Sequence, residues 1–166
     1  MRYLRRFIWY IATRLLIILL CLGILTVTFY FAMNASNIYV IIKDGMARRA
    51  QVVMRIEKSD ELNRYFSSVW ISRDALVQAA ENGSGPYENC NITGIDHRIS
   101  LSYVWCWPWD STATAQITET IPSIDGRSVT GTVPKWNNAR YSVALTKENG
   151  QWKIKDLTVL EWLNDE

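Results

Sequence analysis

The sequence predicts an α+β fold, in which an apolar N-terminal helix precedes further helices packed on a curved antiparallel sheet. Three observations lead to this prediction. Residues 15–33 form an apolar stretch without a charged side chain. From Tyr87 onward, the spacing of apolar residues changes from the helical period to the period of two that is typical of strands. Near the C-terminus, Asn149 and Gly150 separate two alternating segments, and an Asn-Gly pair indicates a hairpin.

The N-terminal region is asymmetric in charge. Four arginines and no acidic residue occupy the first 34 positions, and all 16 acidic residues come later. As a helix, the 19 residues of 15–33 span about 28 Å, close to the roughly 30 Å of a bilayer's hydrocarbon core. We therefore predict a cytoplasmic flank and transmembrane anchor at residues 1–34, in contact with lipid through residues 7–33. The positive-inside rule places the N-terminus in the cytoplasm and the domain at 35–166 on the other side of the cell membrane.

A cleaved signal peptide is the alternative to an anchor. Its apolar region is usually about 7–15 residues long and precedes a small-x-small cleavage site. Here the apolar stretch is longer, and the candidate site at residues 32–35 has Met33 where a small residue is required. The sequence therefore favours an uncleaved single-pass anchor.

The basic character of the chain belongs to the anchor. After the first 34 residues there remain 14 Lys and Arg against 16 Asp and Glu, which gives a net charge of −2. Such a domain has no electrostatic footprint for nucleic acid, so we expect no nucleic-acid partner. Its 132 residues suffice for one domain with a hydrophobic core.

The first helix of the domain is expected at residues 37–56, where apolar side chains form a stripe. We expect the anchor to end and this helix to begin at Asn34, Ser36 or Asn37, and the side chain of one of these three residues to cap the helix. Arg48 and Arg49 are interpreted as part of a solvated face of this helix, or as a contact with anionic lipid headgroups.

Shorter elements follow this helix. One short helix begins at Ser59, and another begins after Ser72 and ends at Asn82. Six strands are then expected, at residues 88–95, 99–107, 112–121, 127–133, 139–147 and 151–160.

Two cysteines, Cys90 and Cys106, lie in the domain, and a location outside the cytoplasm permits a disulfide between them. If 88–95 and 99–107 form a hairpin centred on Arg98, the register sets Cys90 directly opposite Cys106. A disulfide is therefore one interpretation, and two free buried thiols are the other.

Aromatic side chains alternate along the segment that follows this turn. An extended strand places six large residues on one face: Ile99, Leu101, Tyr103, Trp105, Trp107 and Trp109. One interpretation is that this face packs on the helices as core. The other is a hydrophobic pocket or docking surface formed by the four aromatic residues, for which Trp107 and Trp109 are the better candidates.

The sequence gives little support to catalysis. His97 is the single histidine, and a catalytic pair with Asp96 is disfavoured because neighbouring residues of a strand point to opposite sides. We interpret both as turn residues. Without a second histidine or a Cys/His cluster, we expect neither a metal nor a cofactor. Asp96, Tyr103 and Asp110 are conceivable acid–base groups, but no spacing brings them together, so we expect no enzymatic activity.

The order of elements, and the closing segment ENGQWKIKDL at 148–157, resembles the nuclear-transport-factor-2-like superfamily. The resemblance implies a cone over residues 36–160, in which helices pack into the concave face of a strongly bent sheet. An anchor followed by such a domain is also similar to the bitopic subunits of type IV secretion and conjugation machines. That similarity implies a role in assembly without catalysis.

The expected function is therefore that of a membrane-anchored extracytoplasmic structural or interaction subunit of an envelope-spanning assembly, for secretion, conjugation or sporulation. Such a subunit binds other envelope proteins or copies of itself. This function predicts that the interior of the cone is filled by side chains and that an exposed apolar patch includes Trp107, Trp109 or Trp136. The alternative is a membrane-tethered sensor that binds a small ligand, which predicts an enclosed aromatic-lined cavity with inward polar groups such as Tyr103 or Asp96.

Overall fold

The computed structural model describes residues 2–129 and 131–163, and these form an α+β fold. Helices come first in the chain and two antiparallel sheets follow. The predicted α+β class is thereby confirmed. Among the described residues, one helix, α1 at Arg2–Val53, contains a segment long and apolar enough to cross a membrane.

α1 continues through the segment where the sequence predicts a break. None of the three candidate positions interrupts the helix: Asn34, Ser36 and Asn37. Each Asn or Ser costs only about 0.5 kcal/mol relative to Ala inside a helix. Ile38 and Ile42, which follow directly, are fully buried in the core. Packing of these side chains outweighs the weak local preference for a break, so the apolar segment and the first helix of the domain are one element.

Three short helices follow α1. A 3-10 helix at Ser59–Arg64 confirms the element predicted from Ser59. α2 covers Ser68–Ile71 and has no counterpart in the prediction. α3 covers Ala75–Glu81. It ends before Asn82, as predicted, but it begins after the capping residue Asp74, two residues later than predicted.

Six strands lie close to the predicted positions. They are β1 (Cys90–Ile95), β2 (Arg98–Trp105), β3 (Thr112–Thr120), β4 (Ile124–Ser128), β5 (Ala139–Glu148) and β6 (Gln151–Trp162). β4 begins three residues earlier than the predicted strand at 127–133, and Thr130 of that prediction lies outside the described residues. The β5–β6 turn is the predicted one: Asn149 and Gly150 both have positive φ, 50° and 81°, as a tight hairpin turn requires.

The strands form two sheets, and this arrangement overturns the predicted hairpin of the first two strands. β1 pairs with β4 in a separate ribbon, whereas β2 is the edge of a four-stranded sheet with the order β2-β3-β5-β6. Two residues, Asp96 and His97, carry the chain from one sheet into the other. Although this connection is short, β1 and β2 lie in different sheets and do not pair with each other. Within the connection, Asp96 pairs with Arg98, and His97 pairs with Glu119 of β3.

The cysteine pairing predicted from that hairpin is wrong for the same reason. Cys90 lies opposite Ser128 of β4, and Cys106 follows the end of β2. Both cysteines are free. Cys106 is buried, and this burial raises the pKa of its thiol.

The core lies between α1 and the four-stranded sheet. Ile38, Ile42 and Met46 are fully buried at helical spacing, which confirms the apolar stripe predicted for 37–56. They share one cluster with Phe66 and with Ile154 of β6. At 1.5 Å per residue, α1 rises about 27 Å from Phe31 beside β2 to Arg49 beside β5, and it therefore runs past the sheet from one end to the other.

Candidate functional site

The predicted aromatic residues lie on the surface, because a β-bulge changes the face that they occupy. The register between β2 and β3 shifts between Leu101 and Tyr103. A one-residue slip moves all following side chains to the opposite face. Val104 and Cys106 consequently turn inward, whereas Tyr103 and the three tryptophans that follow it are 39–71% exposed. The predicted single face with Ile99 and Leu101 is wrong, and so is its interpretation as core.

Three of these residues form a continuous surface, the aromatic row, defined here as Trp105, Trp107 and Trp109. The rings of Trp105 and Trp107 meet edge to face with centroids 5.4 Å apart. Trp107 and Trp109 stack, with centroids 5.1 Å apart and planes at 15°. At the other end of the row, Trp105 contacts the ring of Phe31 of α1 at 6.3 Å. The row therefore begins on the apolar half of α1.

A cavity lies at the opposite end of the sheet. It measures about 440 Å³ and opens between the end of α1, the α2–α3 segment and the strands β5 and β6. Its aromatic lining consists of Trp70, Tyr87, Trp136, Tyr141 and Trp162. None of the four predicted site residues lines it, and neither does Asp96. Trp136, which the sequence suggests as an exposed contact residue, is instead a buried part of this wall.

A buried arginine lines the same cavity. Arg49 is 7% exposed, so its interpretation as a solvated residue or a lipid contact is wrong. Its Nε donates to Asp74 Oδ2 at 2.9 Å, and its guanidinium lies over the rings of Trp70 and Trp136, 5.7 and 5.8 Å from their centroids. Arg49 Nη1 is buried without a hydrogen-bond partner among the described residues.

Electrostatics keep this arginine charged. Burial by itself lowers the pKa of Arg49, but the negative charges of Asp74 and Glu119 outweigh it and the net direction is upward. A charged donor that lacks a partner in a low-dielectric site favours an acceptor that enters the cavity. The chemistry available here is therefore a hydrogen bond from Arg49 to an acceptor group, such as a carbonyl or carboxylate oxygen.

Glu119 extends this cluster into the sheet. It is fully buried on β3; its Oε1 lies 2.9 Å from His97 Nε2, and its Oε2 accepts from Trp136 Nε1 at 3.3 Å. Tyr141 lies nearby, and burial, together with the charge of Glu119, raises its pKa to about 12 against the opposing effect of Arg49. His97 thus pairs with a glutamate 22 positions away and not with Asp96.

The remaining candidate acid–base groups stay apart. Asp96 forms an exposed ion pair with Arg98, while Tyr103 and Asp110 are exposed elsewhere on the surface. In the part of the chain that the structure describes, there is no group of three His, Cys, Asp or Glu side chains that could hold a metal ion.

Sequence reasoning misses the charged residues of the cavity cluster, although each carries a positional signal. Arg49 follows Ile42 and Met46 at the spacing of one helical face. Glu119 is in phase with Ala113, Ala115 and Ile117, which are all buried along β3. Charged residues at buried positions of a periodic pattern indicate a paired internal cluster.

No protein-family model, curated protein or solved structure matches this chain.

Proposed function

We propose that this chain is a single-pass membrane protein whose extracytoplasmic domain is a structural or interaction subunit of an envelope-spanning assembly, for secretion, conjugation or sporulation. Residues 7–33 anchor it in the cell membrane, with the N-terminus in the cytoplasm and the domain at 35–166 outside. It acts by binding other envelope proteins or copies of itself, and it performs no catalysis.

One observation carries this proposal: the apolar inner face of β6 is uncovered beside the cavity. Leu157, Val159 and Trp162 line the cavity, and Val159 and Trp162 are exposed. On the paired strand β5, the residues of the same face, such as Val143, are buried. An exposed apolar surface next to a concave site is typical of a protein-binding site.

The position of this surface suits a partner outside the membrane. Arg49 at the cavity lies about 27 Å further along α1 than Phe31, whose neighbours are lipid-facing in this proposal. A partner that occupies the cavity therefore does not compete with the bilayer for space.

The proposal includes the cone-like arrangement implied by the resemblance to the nuclear-transport-factor-2-like superfamily. The four-stranded sheet would bend around the end of α1, and the cavity would be the mouth of the cone. The layout of an anchor and one such domain supports the similarity to bitopic subunits of secretion and conjugation machines.

A charged residue in the cavity tests the proposed interaction. Val159→Asp should release the domain from its complex, because a carboxylate buried in an apolar interface is costly. Thr158→Asp is the matched control, since Thr158 is the adjacent exposed residue on the opposite face of β6. The complexes are extracted in mild detergent, and their size and composition are measured by native electrophoresis and mass spectrometry. A wild-type chain that runs as a lone monomer refutes the proposal, as does a complex that Val159→Asp leaves intact.

A second function, that of a sensor for a small anionic ligand, is favoured by the unpartnered Arg49 Nη1. A volume of about 440 Å³ is within the usual range for small-ligand sites. Benzoate and phenylpropionate, titrated against the full chain by calorimetry, are the probes. Binding of both carboxylates but not of benzyl alcohol would support the sensor, and absence of any heat would exclude these anions as ligands.

A further inference from the structure

We infer that the aromatic row, Trp105, Trp107 and Trp109, lies in the headgroup layer of the bilayer and binds lipid. The row would act as a second contact with the membrane beside the transmembrane helix and would set how the domain sits on the bilayer. This inference rests on the proposed membrane anchoring of α1.

Contact with α1 places the row at the depth of the outer interface. Phe31, which touches Trp105, is 17 residues after Arg14, a distance of about 26 Å along the helix. The hydrocarbon core of a bilayer is roughly 30 Å thick. If Arg14 reaches the cytoplasmic headgroups, Phe31 lies close to the opposite edge of the hydrocarbon, and Trp105 lies in the layer next to it.

The exposed apolar surface of α1 continues directly into the aromatic row, with no charged side chain between them. Phe29, Tyr30 and the apolar side chains that precede them are exposed on α1, as lipid contact requires. The segment 105–109 carries no charge, and its three indoles form one continuous surface. A lipid occupant needs only the bilayer that already surrounds α1, whereas a protein occupant would have to enter the headgroup layer.

Indole chemistry fits this environment. Tryptophan is enriched at membrane–water interfaces, where its apolar ring and its N–H group are both accommodated. On a water-exposed surface, three neighbouring tryptophans would instead be an aggregation hazard. Trp109, at the far end of the row and 71% exposed, would be the most water-exposed of them without a membrane.

Quenching by brominated lipid tests the inference on the full chain in proteoliposomes. The emission of Trp105→Phe/Trp107→Phe/Trp109→Phe is subtracted from that of the wild type, which isolates the three indoles. Trp9→Phe supplies the reference for the anchor, because Trp9 lies at the cytoplasmic end of the span. Trp162→Phe is the matched control, since Trp162 is 55% exposed at the end of the sheet distant from Phe31.

We expect lipids brominated near the headgroup to remove the same fraction of emission from the row as from Trp9, and none from Trp162. If Trp9 is quenched and the aromatic row is not, the proposed membrane anchoring is retained, but the proposed contact of the aromatic row with lipid is refuted. If Trp9 is also unquenched, the anchoring fails and the inference fails with it. Should the triple variant not fold, Trp109→Phe isolates the emission of Trp109, which is the residue of the row most exposed to solvent, and the same two outcomes apply to that indole.

Discussion

The buried ion pair between Arg49 and Asp74 allows a quantitative test of the cavity cluster. Asp74 Oδ2 accepts from Arg49 Nε at 2.9 Å, and both side chains are at least nine-tenths buried, with exposures of 7% and 8%. Asp74 Oδ1 separately accepts from the backbone N–H groups of Leu76 and Val77, at 2.9 and 3.0 Å, and so caps α3. Asp74→Asn removes the charge but keeps an oxygen for the cap, whereas Asp74→Ala removes both.

Asp74→Asn and Asp74→Ala should lower the free energy of unfolding by different amounts. Removal of one partner from a buried ion pair costs about 3–5 kcal/mol, because the other charge is left uncompensated. Loss of a helix N-cap costs about 1 kcal/mol. The negative charge of Glu119 still compensates Arg49 in part. We therefore expect Asp74→Asn to lower the free energy of unfolding by about 3 kcal/mol and Asp74→Ala by about 4 kcal/mol or more.

A double-mutant cycle with Arg49→Met, measured by urea unfolding of the full chain in detergent, gives the coupling energy of the pair. The matched control is Arg140 with Glu161, a pair of similar length, 3.0 Å, whose side chains are 45% and 56% exposed. Solvent-exposed ion pairs contribute only about 0–1 kcal/mol to the free energy of unfolding. A coupling for Arg49 and Asp74 no larger than that of the control pair would refute the reasoning.

Three further predictions concern the core, the ribbon and pH. Phe66→Ala should lower the free energy of unfolding by about 3–5 kcal/mol in urea, because Phe66 is fully buried; a loss below about 1 kcal/mol would contradict its place in the core. Gly126→Ala should cost about 1–3 kcal/mol by the same assay, since a Cβ there would lie 2.6 Å from the carbonyl oxygen of Asn91 on β1, and an unchanged midpoint would contradict the β1–β4 pairing. The pKa of Tyr141 is raised to about 12 from an unfolded value of about 10, so the unfolded chain releases this proton first and stability falls between pH 10 and 12. Tyr141→Phe should make that fall shallower in unfolding curves recorded at each pH, and an equally steep fall would contradict the burial of its hydroxyl.

The positions of the strands could be predicted from the sequence, but the face that β2 presents after Leu101 could not. Alternation places six strands close to where they lie. The bulge between Leu101 and Tyr103 carries no local signal, because the alternation continues through it unchanged. One added residue in the register nevertheless moves the tryptophans from the expected core to the surface.

Strand partners also depend on contacts that are distant in sequence. A short connection between β1 and β2 favours a hairpin when only local patterns are considered. In the structure β1 pairs instead with β4, and Cys90 and its partner Ser128 are 38 positions apart. Tertiary packing likewise overrides the polar residues around Asn34, where the helix continues.

The cavity cluster was the least predictable part of the site. Arg49 and Asp74 are 25 positions apart, and Glu119 lies on a third element. Their types suggest solvated residues, and only their phase within the periodic pattern indicates burial. The volume of the cavity depends on how α1 and β6 pack, which no local pattern contains.

The apolar N-terminal segment and the first helix of the domain are one continuous helix, α1. The helix is continuous over Arg2–Val53, so a tilt of the apolar segment is also a tilt of the part of α1 that lies in the domain. With Phe31 as the pivot, a tilt of about 20°, the average for transmembrane helices, displaces Arg49 sideways by about 9 Å. Because Ile38, Ile42 and Met46 of α1 are buried in the core, the domain and its cavity would move together with the helix. If α1 spans a membrane as proposed, the tilt of the helix in the bilayer would set the position and the direction in which the cavity faces.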